Sequence, residues 1–151
     1  MNLKIDEELI FIGHKFANDI ELLEFLSNEL IKKGYVKSSY KDALIKRENE
    51  FPTGLDYGEY GVAIPHSDAE HVLHSTLAIV IPSSPIYFNN MDGSGKVEVK
   101  LICNIVLKDK MNQTTMLSSL MGLFSNEEAV GEMISGDQSL IKKHLSELVT
   151  N

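Results

Sequence analysis

Residues 97–108 read VEVKLICNIVLK, and this stretch decides the fold. Its later half is apolar nearly throughout, with Cys103 in place as one more small hydrophobe. Such a run fits a central strand covered on both faces better than a half-exposed one, although a buried helix would look similar over so few residues. Covering both faces requires helices on both sides. Downstream they are available in MNQTTMLSSLMGLF, in NEEAVGEMI after a Ser125/Glu128 capping pattern, and in SLIKKHLSEL after an Asp137 cap.

Upstream, Asn18 caps a helix with Glu21 three positions later, and Leu22, Leu23, Leu26, Leu30 and Ile31 recur at helical spacing until Gly34. A second helix begins near Ser38 or Ser39 and ends before Pro52, which disfavours helix in the residue preceding it. Thr53 to Tyr60 reads as a glycine-punctuated loop. GVAIPH enters as a short apolar strand that Pro65 stops, leaving His66 at its exit. STLAIVIP and PIYF are further strands, the latter joined to the long one through the turn-rich NNMDGSGK. The expected architecture is an α/β (α+β) three-layer sandwich, a mixed β-sheet flanked by helices on both faces.

With 151 residues, 43% of them hydrophobic, and no repeat or linker, the chain fits one compact domain over 1–151. A formal charge of −8 argues against nucleic acid as a partner, because such binding needs a basic surface to displace counterions. No stretch approaches the roughly 20 apolar residues of a membrane span, and MNLKIDEELI lacks the basic and apolar regions of a signal peptide. A cytoplasmic protein without direct membrane insertion is expected. Cys103 is the only cysteine, so no internal disulfide forms, and no chemistry is assigned to it.

Of five histidines, His66, His71 and His74 fall close together, with Ser67, Asp68 and Glu70 among them. Imidazole and carboxylate together suit a transition metal, but the spacing matches no zinc signature and nothing forces the ring nitrogens to converge. Neither metal nor cofactor is therefore expected. His71 and His74 read as surface residues. His66 differs, because Pro65 fixes a backbone torsion and the apolar strand anchors it. With an ordinary pKa of about 6.5, imidazole is mostly neutral at pH 7 and needs no separate base to act as a nucleophile. A serine hydrolase is disfavoured by the lack of GxSxG, and the glycines around Gly93 to Lys96 form no P-loop or dinucleotide fingerprint.

Thirteen of the fourteen basic residues are lysines, leaving Arg47 as the only arginine. It continues the stripe of Tyr40, Ala43 and Leu44, so its side chain is expected to lean towards the body of the domain. An inward guanidinium needs a partner. Glu48, Glu50 or the helix-end carbonyls could supply one, and so could a phosphate, whose oxygens match the planar fork. The residues alone leave both readings open.

ALIKRENEFPTGL followed by GVAIPHSDA resembles the enzyme IIA components of the mannitol, fructose and galactitol phosphotransferase systems, with the EFPTG segment most similar to the galactitol type. The resemblance is specific over Ala43 to His66 and extends as an order of elements to most of the chain. It implies that His66 carries the phosphoryl group as a tele-phosphohistidine, receiving it from the carrier HPr and giving it to a cysteine on a IIB component, which serves a membrane IIC component. It also implies that Arg47 lies near the phosphate.

Mannitol-type members carry a second active-site histidine where this chain reads KDKMNQTTML. Gln113 or Asn112 is expected to supply a neutral hydrogen bond in its place, with Ser67 as a further neighbour of the site. Residue 60 is Tyr where many relatives have a polar or acidic residue. Two other function classes stand beside the sugar-system carrier: a regulatory IIA-like protein that binds other proteins according to its phosphorylation state, and a metal-dependent hydrolase.

Overall fold

The long apolar run is a strand, and its two halves differ in what they touch. A computed structural model describes residues 3–150. In chain order it contains β1 (Ile10–Ile12), α1 (Asp19–Lys32), α2 (Tyr40–Glu50), β2 (Gly54–Asp56), β3 (Gly61–Ala63), β4 (Thr76–Ile81), β5 (Ile86–Asn89), β6 (Lys96–Val106), α3 (Lys110–Phe124), α4 (Glu127–Ile134) and α5 (Gln138–Thr150). Short 3₁₀ turns lie at Glu7–Leu9 and Ala69–His71. The strands form one mixed sheet of order β1-β4-β6-β3-β2, with β5 also paired to β6.

β6 runs through the middle of that sheet. Its first half pairs with β5 and its second half with β4, both antiparallel, while β3 runs parallel along the other side. Leu101, Cys103, Ile105 and Leu107 face a core made with Met116 and Leu120 of α3, Met133 of α4 and Leu145 of α5. Ile102 and Val106 face a second core with Leu22, Leu26 and Leu30 of α1 and Tyr40 and Leu44 of α2. The expected three-layer sandwich is therefore the observed one.

Val97 and Val99 pack into that second core although their parity is opposite to Ile102 and Val106. The change of parity coincides with a register shift against β3, where Gly61 is opposite Val99 but Val62 is opposite Leu101. Lys100 is the extra residue, as in a β-bulge. Gly61 is needed there because a Cβ would collide with the Glu98 carbonyl.

Local chemistry sets most element ends as expected. Asn18 Oδ1 accepts from the Glu21 amide at 2.9 Å, and Gly34 follows α1 with φ of +81°. Asp137 Oδ1 accepts from the amides of Ser139 and Leu140. Two readings change and one strand is added. Asn126, not Ser125, caps α4 through the Ala129 amide at 3.1 Å, while the Ser125 hydroxyl donates back to the Gly122 carbonyl. The expected loop from Thr53 to Tyr60 contains β2, which pairs antiparallel with β3. β1, which no periodicity announced, pairs parallel with β4. No helix among the described residues is long and apolar enough to cross a membrane.

Candidate active site

The exit of β3 is held by the centre of the sheet. After Ala63 the chain runs through Ile64 and Pro65, and the Pro65 carbonyl accepts from the Ile105 amide at 3.0 Å and from Asn104 Nδ2 at 2.9 Å. Asn104 is fully buried on β6 and also donates to the Tyr40 hydroxyl at 3.0 Å. His66 follows as an isolated parallel bridge to Ile105. A rigid strand, a proline and two donors on one carbonyl therefore fix the backbone at the histidine.

His66 Nδ1 lies 2.9 Å from the Ile64 carbonyl. A carbonyl can only accept, so Nδ1 carries the proton and, in the neutral ring, Nε2 carries the lone pair. Burial lowers the His66 pKa below its ordinary value; the Arg47 guanidinium also lowers it, against the Ile64 carbonyl and Asp68, which raise it. The ring is thus held neutral at physiological pH. That is the form of a nitrogen nucleophile.

His66 lines a cavity of about 570 Å³ together with Arg47, Asp68, Glu70, Lys110, Gln113 and Leu117. Arg47 approaches from the last turn of α2, with its guanidinium carbon 4.8 Å from the centre of the Phe51 ring and Nη1 3.5 Å from Asp68 Oδ1. Both partners of that ion pair are substantially exposed, so it contributes little to stability. Arg47 Nε is buried and has no hydrogen-bond partner. A guanidinium lining a cavity that holds a neutral histidine, with hydrogen-bonding capacity left unused, suits an anion.

Arg47 does not continue the inward stripe of α2. Tyr40, Leu44 and Glu48, at four-residue spacing, are the buried positions, and Arg47 sits at the edge of that face. Its acidic partner is Asp68, not Glu48 or Glu50. Gln113 lines the cavity, with Nε2 donating to the carbonyls of Ser67 at 2.9 Å and Leu107 at 3.2 Å. Ser67 is buried and meets Gln113 through its backbone. Asn112 does not line the cavity. Lys110 does, and sequence reasoning gave no signal for it, because one lysine among thirteen at a helix start has no distinguishing spacing.

The other histidines are engaged elsewhere. His71 Nδ1 is 2.8 Å from the Ser39 hydroxyl, His74 is exposed, and His144 Nε2 is 3.0 Å from Glu132. His14 packs against the rings of Phe11, Phe16 and Phe25. Among the described residues no three His, Cys, Asp or Glu side chains gather as they would around a metal ion. Burial pushes the Cys103 thiol up to about 12, so it stays protonated. Tyr60 turns its hydroxyl to the Phe124 carbonyl at the end of α3, away from the cavity.

Glu48 is the buried acid beside the site. Its carboxylate accepts from the Thr53 amide and the Thr53 hydroxyl, each at 2.8 Å. Burial nevertheless outweighs those bonds and pushes its pKa up to about 7. A raised carboxyl pKa makes the folded state most stable below the ordinary carboxylate range, and that stability is lost as pH rises towards and through 7. This group alone should make the protein about 2–3 kcal/mol more stable at pH 5 than at pH 8. Urea unfolding of wild type and Glu48→Gln at both pH values measures the difference. Equal pH dependence in the two proteins would contradict it.

Residues 4–147 match the family described as phosphoenolpyruvate-dependent sugar phosphotransferase system, EIIA 2, and the chain belongs to that family. It is thereby an enzyme IIA component, of the phosphotransferase class. The galactitol-specific EIIA component of Escherichia coli K12 is 29% identical over 137 residues, 91% of each chain. The mannitol-specific enzyme IIA component of Halalkalibacterium halodurans is 31% identical over 134 residues, 87% of this chain and 86% of the relative. In fold, the chain matches the structure of the Escherichia coli complex of enzyme IIA mannitol with phosphorylated enzyme IIB mannitol, with a TM-score of 0.78 at 22% identity, covering 97% of this chain and 99% of that one.

Proposed function

We propose that this chain, as one IIA domain, accepts a phosphoryl group from phosphorylated HPr on Nε2 of His66 and passes it to a cysteine of a IIB component. The observation that carries this reading is the His66 ring, neutral, with its Nδ1 proton given to Ile64, beside an arginine whose buried Nε–H lacks a partner. The Nε2 lone pair attacks phosphorus while the bond from phosphorus to HPr breaks, its electron pair leaving on HPr. Arg47 and Lys110 offset the negative charge of the transferring group. The product ring keeps its Nδ1 proton and so carries positive charge, which the Ile64 carbonyl stabilises.

That charge also makes the ring a good leaving group. When a IIB thiolate attacks phosphorus, the P–Nε2 bond breaks and its electron pair returns to the ring, restoring neutral His66. No step calls on a metal or cofactor. His66 is only partly buried at its cavity, and the mannitol IIA of similar fold was solved in complex with phosphorylated IIB. The galactitol-type relative favours a polyol branch of sugar uptake, with the chain working at the cytoplasmic side of a IIC component.

The test is a reconstituted relay. Labelled phosphoenolpyruvate, enzyme I and HPr should label the chain, and adding galactitol-type IIB should move the label onward. A chain that labels but passes phosphate to no IIB of the galactitol, mannitol or fructose type would contradict the transport role.

A further inference from the structure

From a chain of hydrogen bonds behind the ring, we infer that Thr53 is a positioning residue for His66, coupling the end of α2 to the residue whose carbonyl fixes the histidine's tautomer. Thr53 lies just before β2, 2% exposed, in the segment that leads from Arg47 and Glu48 towards β3. Its hydroxyl donates to Glu48 Oε1 at 2.8 Å and accepts from the Ile64 amide at 3.2 Å. Its own amide donates to Glu48 Oε2 at 2.8 Å. The same residue whose amide Thr53 receives, Ile64, offers its carbonyl to His66 Nδ1.

Above its pKa of about 7 Glu48 is mostly a carboxylate, which can only accept, so at pH 7.5 the Thr53 hydrogen points at Glu48 and leaves an oxygen lone pair for the Ile64 amide. The amide and the carbonyl of Ile64 belong to adjoining peptide units, so fixing the first restrains the backbone that directs the second towards His66, and the carbonyl in turn requires the proton on Nδ1. The chain Glu48, Thr53, Ile64, His66 thus ends by leaving the lone pair on Nε2. Glu48 is also the covalent neighbour of Arg47. One hydroxyl therefore ties together the backbone that aims the nucleophile and the helix turn that carries the guanidinium.

A purely structural role would predict something different. A buried threonine that only fills space tolerates valine, which has the same shape, with loss of stability and no change in the histidine ring. Positioning predicts that Thr53→Val weakens the hold on Ile64, lets the Nε2–H tautomer appear and slows transfer per folded molecule. Geometric misplacement of a reacting group by a fraction of an ångström to an ångström costs roughly tenfold or more in rate.

The inference rests on the proposed role of His66, and the experiment separates the two. Ring-¹⁵N-labelled wild type, Thr53→Val and Thr53→Ser are compared at pH 7.5 before any phosphorylation, reading the His66 tautomer from its nitrogen shifts. Their labelling rates by phosphorylated HPr are then measured, normalised to the folded fraction. We expect wild type and Thr53→Ser to show Nδ1–H alone, and Thr53→Val to show a mixture with a rate roughly tenfold lower at unchanged KM for HPr. Should Thr53→Val not fold, Thr53→Cys under reducing conditions takes its place, because a thiol keeps the volume but is a weak donor and acceptor. A valine or cysteine variant with wild-type tautomer and a rate within twofold of wild type overturns the inference. Wild type that takes no label overturns the reading of His66 instead, whatever the tautomers show.

Discussion

His66→Gln takes no phosphoryl group from HPr. Glutamine keeps the volume and a hydrogen-bonding end, but it offers no nitrogen lone pair able to attack phosphorus, so the covalent intermediate cannot form. The residual labelling should be at background, a loss of at least about a thousandfold, since no other histidine lines the cavity. His71 bonds to Ser39 and His74 is exposed, and neither lines the cavity. The variant should remain folded because His66 is only partly buried and the backbone at Pro65 is held by Asn104 and Ile105 regardless of the side chain. Circular dichroism and labelling on one preparation check both halves. Acid-labile phosphohistidine in this variant would move the nucleophile elsewhere.

Arg47→Lys slows transfer by roughly ten- to a hundredfold, from the loss of a charge-assisted hydrogen bond worth about 1.5–3 kcal/mol. Lysine keeps the charge but loses the fork, and it has no equivalent of the buried Nε–H that lacks a partner. Arg47→Ala is slower still, and it carries a second signature. The guanidinium helps hold the His66 pKa below its ordinary value, so its removal raises that pKa and shifts the acid limb of the pH–rate profile upward. A structural arginine would behave differently. Its partner would be lost with a drop in melting temperature, while the rate per folded molecule stayed within about twofold, a difference of ~0.4 kcal/mol. The exposed, 3.5 Å contact with Asp68 makes the stability change small in any case.

What the sequence could show was governed by range. β6, α1 and the stop at Pro65 are written in periodicity and single-residue punctuation, and each was readable within a dozen residues. β1 and β2 are three residues long, below the length at which a period of two can be counted, and they exist because β4 and β3 offer them a partner edge. Glycines at 54 and 58 made β2 look like loop alone. The cap of α4 was misassigned by one residue because Ser125 and Asn126 are both good caps, and the chain direction out of α3 decides between them.

The site shows the same division. His66 stood out because Pro65 and the apolar strand are its immediate neighbours. Arg47, which the residues left open and the resemblance placed near the phosphate, lines the same cavity as His66, at the edge of a face whose buried positions are Tyr40, Leu44 and Glu48. Gln113 was anticipated at the cavity and is there, though its amide is directed at two carbonyls. The Thr53 bond to Ile64, the Asn104 contact to Pro65, and the arrival of Lys110 and Asp68 at one cavity all depend on closure of the fold. No local pattern encodes them.

The central claim is a phosphorus–nitrogen bond at one atom of one ring. Protein labelled with ¹⁵N in its histidine rings, phosphorylated by enzyme I and HPr and observed by ³¹P and ¹⁵N NMR, tests it most directly. A single phosphohistidine is expected, at His66, with phosphorus coupled to Nε2 and the proton kept on Nδ1, which donates it to the Ile64 carbonyl. Phosphorus coupled to Nδ1 of His66, or carried by any other residue, would contradict it.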